Sequence, residues 1–187
     1  MSTVKLEAYL VYSEGDEGET KEKVLKVAYE YQLGPDDGAT GYRQCFSSSC
    51  AMVARYYGKI SGDYEYNKLR ARFGDTTDPK AQIAAFKALG LTATFEMDGT
   101  VEELEDEISN GHPVPVGWLH KNNVSNPGGT GHWSVVVGFT PTHFIHNDPF
   151  GEADLVNGGY TSHKGGAGVA YSRKNWLPRW LIEGTDT

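Results

Sequence analysis

The sequence predicts an α+β fold, with helices gathered in its first half and a short-stranded antiparallel sheet in its second. Three observations lead there. Apolar residues at helical spacing, bounded by capping residues, recur between residues 45 and 110. From residue 113 onward the pattern turns to short β-branched and aromatic runs, HPVPVGW, HWSVVVGF and THFIHN. No strand–helix–strand alternation occurs, so a parallel sheet is not expected. The 187 residues suit one domain, read as an N-terminal β-hairpin (1–32), a helical part (33–112) and a sheet part (113–187).

Taken in order, TVKLEAYLVY (3–12) and KVLKVAYEYQ (23–32) alternate loosely and flank the polar turn SEGDEGETKE (13–22), which predicts the hairpin. LGPDDGATGY (33–42) is a loop by composition. Phe46, Cys50, Val53, Ala54 and Tyr57 then follow helical spacing, and Gly58 is a suitable helix end. Residues 63–73 read as a second helix. Residues 78–89 read as a third, with Asp78 as N-cap, Pro79 in the first position and Gly90 just beyond the end. Thr100 and Glu103 have the spacing of a capping box and open a fourth over 100–110. Strands are expected at 91–96, 113–119, 132–139 and 142–147, the last two joined by a turn near Thr140 and Pro141. Residues 151–168 form a Gly-rich loop able to flank a site, and YSRKNWLPRWLIEG reads as a closing strand with packed tryptophans.

Composition narrows the function. Hydrophobic residues are 39% and charged residues 22%, enough for a core. The net charge of -8 argues against a nucleic-acid partner, since that affinity comes from Lys and Arg neutralising phosphates. Arg173, Lys174 and Arg179 interleave with Trp176 and Trp180, but the run is short and the chain acidic, so base stacking is not expected. The same charge gives no attraction to an anionic membrane or wall polymer. No apolar run is long enough to span a bilayer, so no membrane insertion is expected. The start lacks a basic segment followed by an apolar one, so the expectation is cytoplasmic synthesis without a signal peptide. Cys45 and Cys50 lie too few and too isolated for a metal centre, and on one helix they face apart, which opposes a disulfide.

Cys45 falls where a loop meets a helix start. Free backbone N–H groups and the positive end of the helix dipole there stabilise a thiolate, and the same N–H groups can hold an oxyanion. Ser47, Ser48 and Ser49 fit the first turn, where they can cap free donors and stay small beside a substrate. A thiolate needs a base, and the base an orienting partner. His132 follows the Gly-rich NPGGTG and opens an apolar strand; Asp148 ends the next one. If those strands pair as a hairpin, the start of one lies beside the end of the other.

These strings resemble a known family. CFSSSCAMVARYYG, from Cys45 to Gly58, is similar to the nucleophile helix of the bacteriocin-leader-peptidase-like cysteine peptidases, which have a papain-like fold. GHWSVVVGF followed by NDPFG resembles their second signature, and FKALGLTATF and HPVPVGW their intervening region, so the likeness covers about residues 30–152. The spacing to Met52 and Gly58 selects Cys45 over Cys50 as nucleophile. The resemblance implies His132 as base, Asp148 as its orienting partner, and an upstream Gln donating to the oxyanion. Gln32 is preferred for that role, with Gln44 as the alternative. Phe46-Ser47 replaces the family's usual Gly-Pro after the nucleophile. The implied enzyme is a small single-domain cysteine peptidase or amidase of bacterial or phage type, monomeric, without cofactor or metal. The implied substrate is a peptide or isopeptide bond, with the peptidoglycan stem peptide as the specific expectation and action on the wall after lysis or virion delivery. A cytosolic protein-processing peptidase or acyltransferase is the alternative. So is an inactive binding module whose recognition face combines the N-terminal hairpin with Tyr160, Trp176 and Trp180.

Overall fold

A computed structural model describes residues 22–34 and 38–183. A 3₁₀ turn, Gly38–Arg43, leads into helix α1 (Cys45–Tyr56); α2 (Asp63–Arg70), α3 (Pro79–Ala88) and α4 (Val101–Ser109) follow. The expected caps form. Asp78 Oδ1 accepts from the Lys80 N–H at 2.9 Å with Pro79 at the helix start, and Thr100 and Glu103 close a capping box. Each such cap contributes about 1 kcal/mol.

The sheet is antiparallel and built around β3 (His132–Phe139). Strand β2 (Val114–Trp118) pairs with it from Val114↔Val136 to Trp118↔His132. The short β1 (Lys23–Val24) takes its far end, Lys23 opposite Phe139. On β3 also lies β4 (His143–Asn147), joined through the tight connection expected near Thr140 and Pro141, with a bulge between Val136 and Gly138. The two-stranded β5 (Glu152–Ala153) and β6 (Tyr160–Ser162) lie within the Gly-rich stretch, and β7 (Val169–Ser172) pairs with β4.

Both faces of this sheet are covered. Val135 and Val137 face α1 and α3, packing with Phe46, Met52, Ala54 and Phe86. Val136, Trp118 and Phe144 face the other way, against α4 and the C-terminal helix α5 (Arg173–Glu183), with Leu104, Ile108 and Trp176. That is why HWSVVVGF is apolar almost throughout rather than alternating. Burying a Phe144-sized side chain contributes about 2–3 kcal/mol.

Several expectations change. The C-terminal run is a helix, α5, not a closing strand. Trp176 is buried in the core and stacks on Trp180 at 5.1 Å, so it is not offered for stacking on bases or as part of a recognition face. Residues 91–96 have no regular secondary structure and join no sheet. Of 23–32, only Lys23–Val24 is a strand; the rest of the predicted hairpin, 1–21, lies outside the described residues. The second helix stops at Arg70 rather than 73.

Candidate active site

Cys45 is the first residue of α1, and the Gln44 side chain before it makes no capping hydrogen bond to the helix. The earliest free amide partner inside the helix is spent at Ser48, whose N–H donates to the Gln44 carbonyl at 2.7 Å. The amides ahead of it are therefore left without a side-chain cap. Ser47, Ser48 and Ser49 do not supply one, contrary to expectation. All three are fully buried; Ser47 turns onto Thr76 and Ser48 onto Asp63, each at 2.8 Å, while Ser49 Oγ has no hydrogen-bond partner among the described residues.

An aromatic stack sets the approach of α1 to β3. Phe46, one residue past the cysteine, lies flat on Trp133, one residue past His132, with centroids 3.7 Å apart and planes within 10°. Gly117 faces Trp133 across the ladder, and a Cβ there would meet the indole at 3.1 Å, so glycine lets the ring lie against the strand. Pinning the two aromatics brings the preceding Cys45 and His132 together, and the imidazole hydrogen-bonds the sulfur.

His132 Nε2 donates to Asp148 Oδ1 at 2.8 Å, which leaves Nδ1 as the ring nitrogen for the sulfur. Asp148 is fully buried at the end of β4, and its carboxylate also accepts from the Tyr171 hydroxyl at 2.9 Å and the Phe150 N–H at 3.0 Å. The Tyr29 hydroxyl donates to its carbonyl at 3.0 Å. The Gly-rich stretch closes over the same residue. The Asp148 N–H donates to the Gly166 carbonyl at 2.8 Å, and a Cβ at Gly166 would sit 2.0 Å from the Asp148 carbonyl oxygen.

The charges follow from these contacts. Burial opposes the Cys45 thiolate. The hydrogen bond and positive charge of His132, with the backbone amides of Trp133 and Phe46, outweigh it and hold the thiol below its ordinary range. Burial likewise opposes the imidazolium of His132, but Asp148 and then Cys45 raise it well above the usual imidazole range. A thiolate beside an imidazolium is the favoured pair. Cys50, buried on the apolar side of α1, is pushed the other way by burial and stays a thiol.

Rings enclose the imidazole: Trp118 at 5.3 Å, Tyr160 at 5.5 Å and His120 at 5.6 Å, centroid to centroid. His120 is the neighbour the sequence reading missed. It lies two residues beyond Trp118, so pairing HPVPVGW with HWSVVVGF was the signal that finds it. Burial and the charge of His132 lower its pKa to about 4, keeping it neutral.

The two glutamines part company. Gln44 Oε1 accepts from Thr76 Oγ1 at 2.8 Å. Gln32 is buried, its backbone N–H donates to the Pro149 carbonyl at 3.0 Å, and its Nε2 donates to the Gly41 carbonyl at 3.0 Å, on the turn that enters α1. Beyond the Phe46–Trp133 stack runs a groove of about 460 Å³ lined by Val53, Ile83, Phe86 and Ala93. It continues past Phe95 into a second of about 330 Å³ with Met97, Trp180, Glu96 and Glu103. No group of residues able to hold a metal ion occurs among the described residues, and no described helix is long and apolar enough to cross a membrane.

The sequence matches the Peptidase_C39 like family over residues 24–162. A solved C39-like peptidase from Bacillus anthracis is similar in structure, with 16% identity, a TM-score of 0.60, and 88% of this chain and 94% of that one covered. A double glycine motif protease from an AMS/PCAT transporter, solved in complex with the leader peptide, is 22% identical over 73% of this chain and 82% of its own, with a TM-score of 0.43. No curated protein matches the sequence.

Proposed function

Because the chain belongs to the Peptidase_C39-like family and is a cysteine peptidase, we propose that Cys45 is its nucleophile, His132 its general base and acid, and Asp148 the residue that orients His132. The observation that carries this is the buried hydrogen bond from His132 Nε2 to Asp148, on an imidazole whose charge in turn favours the Cys45 thiolate. It joins three elements, α1, β3 and the end of β4, at one point.

In this reading His132 Nδ1 holds the thiol proton, and the Cys45 thiolate attacks the carbonyl carbon of an amide. The oxyanion that forms meets the uncapped amides at the start of α1 and the Gln32 side chain, whose Nε2 has a second N–H beyond the one on Gly41. His132 gives its proton to the leaving nitrogen as the C–N bond breaks, leaving a thioester. Water then attacks the thioester, His132 takes a proton from it, and the carboxylic acid departs as the thiol is restored. Asp148 keeps Nε2–H pointing toward itself throughout and takes no proton. The single domain, 1–187, provides all of these groups.

The substrate we propose is a peptide or isopeptide cross-link of peptidoglycan, cleaved by an endolysin-like monomer. Cys45→Ala and Cys50→Ala, assayed in parallel on peptidoglycan zymograms and on a peptide library, test both levels. Cys45→Ala is expected to lose activity by at least about a thousandfold and Cys50→Ala to keep it. Equal losses from the two overturn the assignment of Cys45. Cross-links left intact by the wild type, with library peptides cut, overturn the peptidoglycan substrate alone. A second reading, processing of a protein partner, is favoured by the net charge of -8, which repels an anionic wall polymer.

A further inference from the structure

A buried polar cluster beneath the start of α1 takes no part in the steps above. Thr76 Oγ1 donates to Gln44 Oε1 at 2.8 Å. A threonine hydroxyl has one hydrogen, so at the 2.8 Å contact between Thr76 and Ser47 the serine is the donor. Ser47 Oγ in turn accepts from Arg70 Nε at 3.1 Å and Gln82 Nε2 at 3.0 Å. Gln82 is fixed by the Thr76 carbonyl at 2.7 Å and by the Tyr66 hydroxyl at 2.9 Å. Relative exposure is 0% for Ser47, 2% for Gln82, 4% for Thr76, 6% for Arg70 and 9% for Gln44, so water competes for none of these bonds. Donation therefore runs one way, from Arg70 through Ser47 and Thr76 to Gln44. Bonds aligned in one direction strengthen one another.

The end of that chain is the N-cap residue of α1. At a Ser, Thr, Asp or Asn N-cap the side-chain oxygen accepts from the first amides of the helix, and Gln44 carries the same kind of oxygen one carbon further out than Asn. Here that oxygen is held by Thr76, and the helix start has no side-chain cap. The amide of Phe46, one of those left open, favours the thiolate of Cys45, as does the amide of Trp133.

We propose that Thr76 is a positioning residue for the Cys45 sulfur: by holding Gln44 Oε1 off the end of α1, it keeps the first amides of the helix open to the sulfur and to the oxyanion formed on attack. The proposal rests on the reading of Cys45 as nucleophile. Without the Thr76 hydroxyl, the Gln44 oxygen is free to compete for those amides. Other titratable and charged groups face this region: His132 from β3, Tyr160 from β6, Cys50 on α1, Asp63 and Arg70 from α2, and the exposed Arg43–Asp75 pair at 3.0 Å. The substitutions below alter none of them.

The test is the rate of Cys45 alkylation by iodoacetamide against pH, read by mass spectrometry on the full folded chain. Thr76→Val is expected to move the inflection up by about one pH unit and to slow alkylation near neutrality about tenfold. Thr76→Ser, which restores the hydroxyl, is expected to match the wild type. Thr76→Val with Gln44→Met, which removes the competing oxygen, is expected to return the inflection to its wild-type position. A Thr76→Val inflection equal to the wild type, or a double variant that stays shifted, overturns the proposal. If circular dichroism finds Thr76→Val unfolded, Gln44→Met alone decides. An unchanged profile supports the proposal. A shifted one makes the Gln44–Thr76 bond a mechanical anchor and overturns it. Wild-type alkylation confined to the ordinary thiol range refutes the nucleophile assignment itself, whatever the variants do.

Discussion

His146 lies buried between the sheet and α5, its ring 4.6 Å from Trp176 and 4.9 Å from Tyr171, centroid to centroid. Its Nδ1 meets Ser134 Oγ at 2.9 Å, while Nε2 has no hydrogen-bond partner among the described residues. Burial first, and the charge of His132 second, lower its pKa to about 3. The sign of the consequence is fixed. The unfolded chain binds this proton near the ordinary value of 6.5, and the folded chain only near 3. Stability is complete above 6.5 and falls as pH drops toward 3. His120, lowered to about 4, adds to the same slope. Urea unfolding between pH 7 and pH 4 is expected to show this loss. His146→Gln is expected to reduce the slope by about 1.4 kcal/mol per pH unit, one proton's worth. An unchanged slope means that His146 is not the group taking up the proton. Cys45 and His132 behave differently, because His132 holds the thiolate, and Asp148 and then Cys45 hold the imidazolium, against burial.

At the level of elements, α5 holds the wall of the site through one side chain. Arg179 is fully buried and donates to the carbonyls of Leu119, Lys121, Asn122 and Leu155, at 2.8 to 3.1 Å. Two of those carbonyls, Leu119 and Lys121, flank His120, so the helix fixes the stretch that faces His132. Arg179→Met keeps the stem but removes the donor these carbonyls share, Lys121 alone keeping the Gly128 N–H at 3.0 Å, and is expected to cost about 3 kcal/mol in urea unfolding. A loss below about 1 kcal/mol means that water replaces the guanidinium. This helix was not legible in the sequence. RKNWLPRWLIE carries a proline, Pro178, inside it, and its helical form depends on Trp176 meeting Phe144 and Arg179 meeting distant carbonyls. Local signals were readable where they are self-contained, as with the Asp78 and Thr100 caps and the short β3–β4 connection that lays His132 beside Asp148. The orientation of Ser47 and Gln44 was not, because it is decided by Thr76, Arg70 and Gln82 from other elements.

For the whole molecule, charge and substrate meet in one measurement. The net charge of -8 at neutral pH sets a repulsion against an anionic polymer, and salt screens it over about 10 Å at 0.1 M. Cleavage of peptidoglycan is expected to quicken by about two- to fivefold as ionic strength rises from about 10 mM to about 150 mM. A rate on a basic peptide that falls over the same range is the sign expected if the substrate is instead a cationic protein partner.

The contact between the Tyr29 hydroxyl and the Asp148 carbonyl spans 119 positions of sequence. Synthesis runs from Cys45 toward His132, Asp148, Gly166 and Tyr171, so the sulfur is made before the groups that surround it, and contacts this distant also close slowly. On the proposed reading of Cys45 as nucleophile, a growing chain therefore carries an unreactive sulfur until residues 132–171 have been translated and folded.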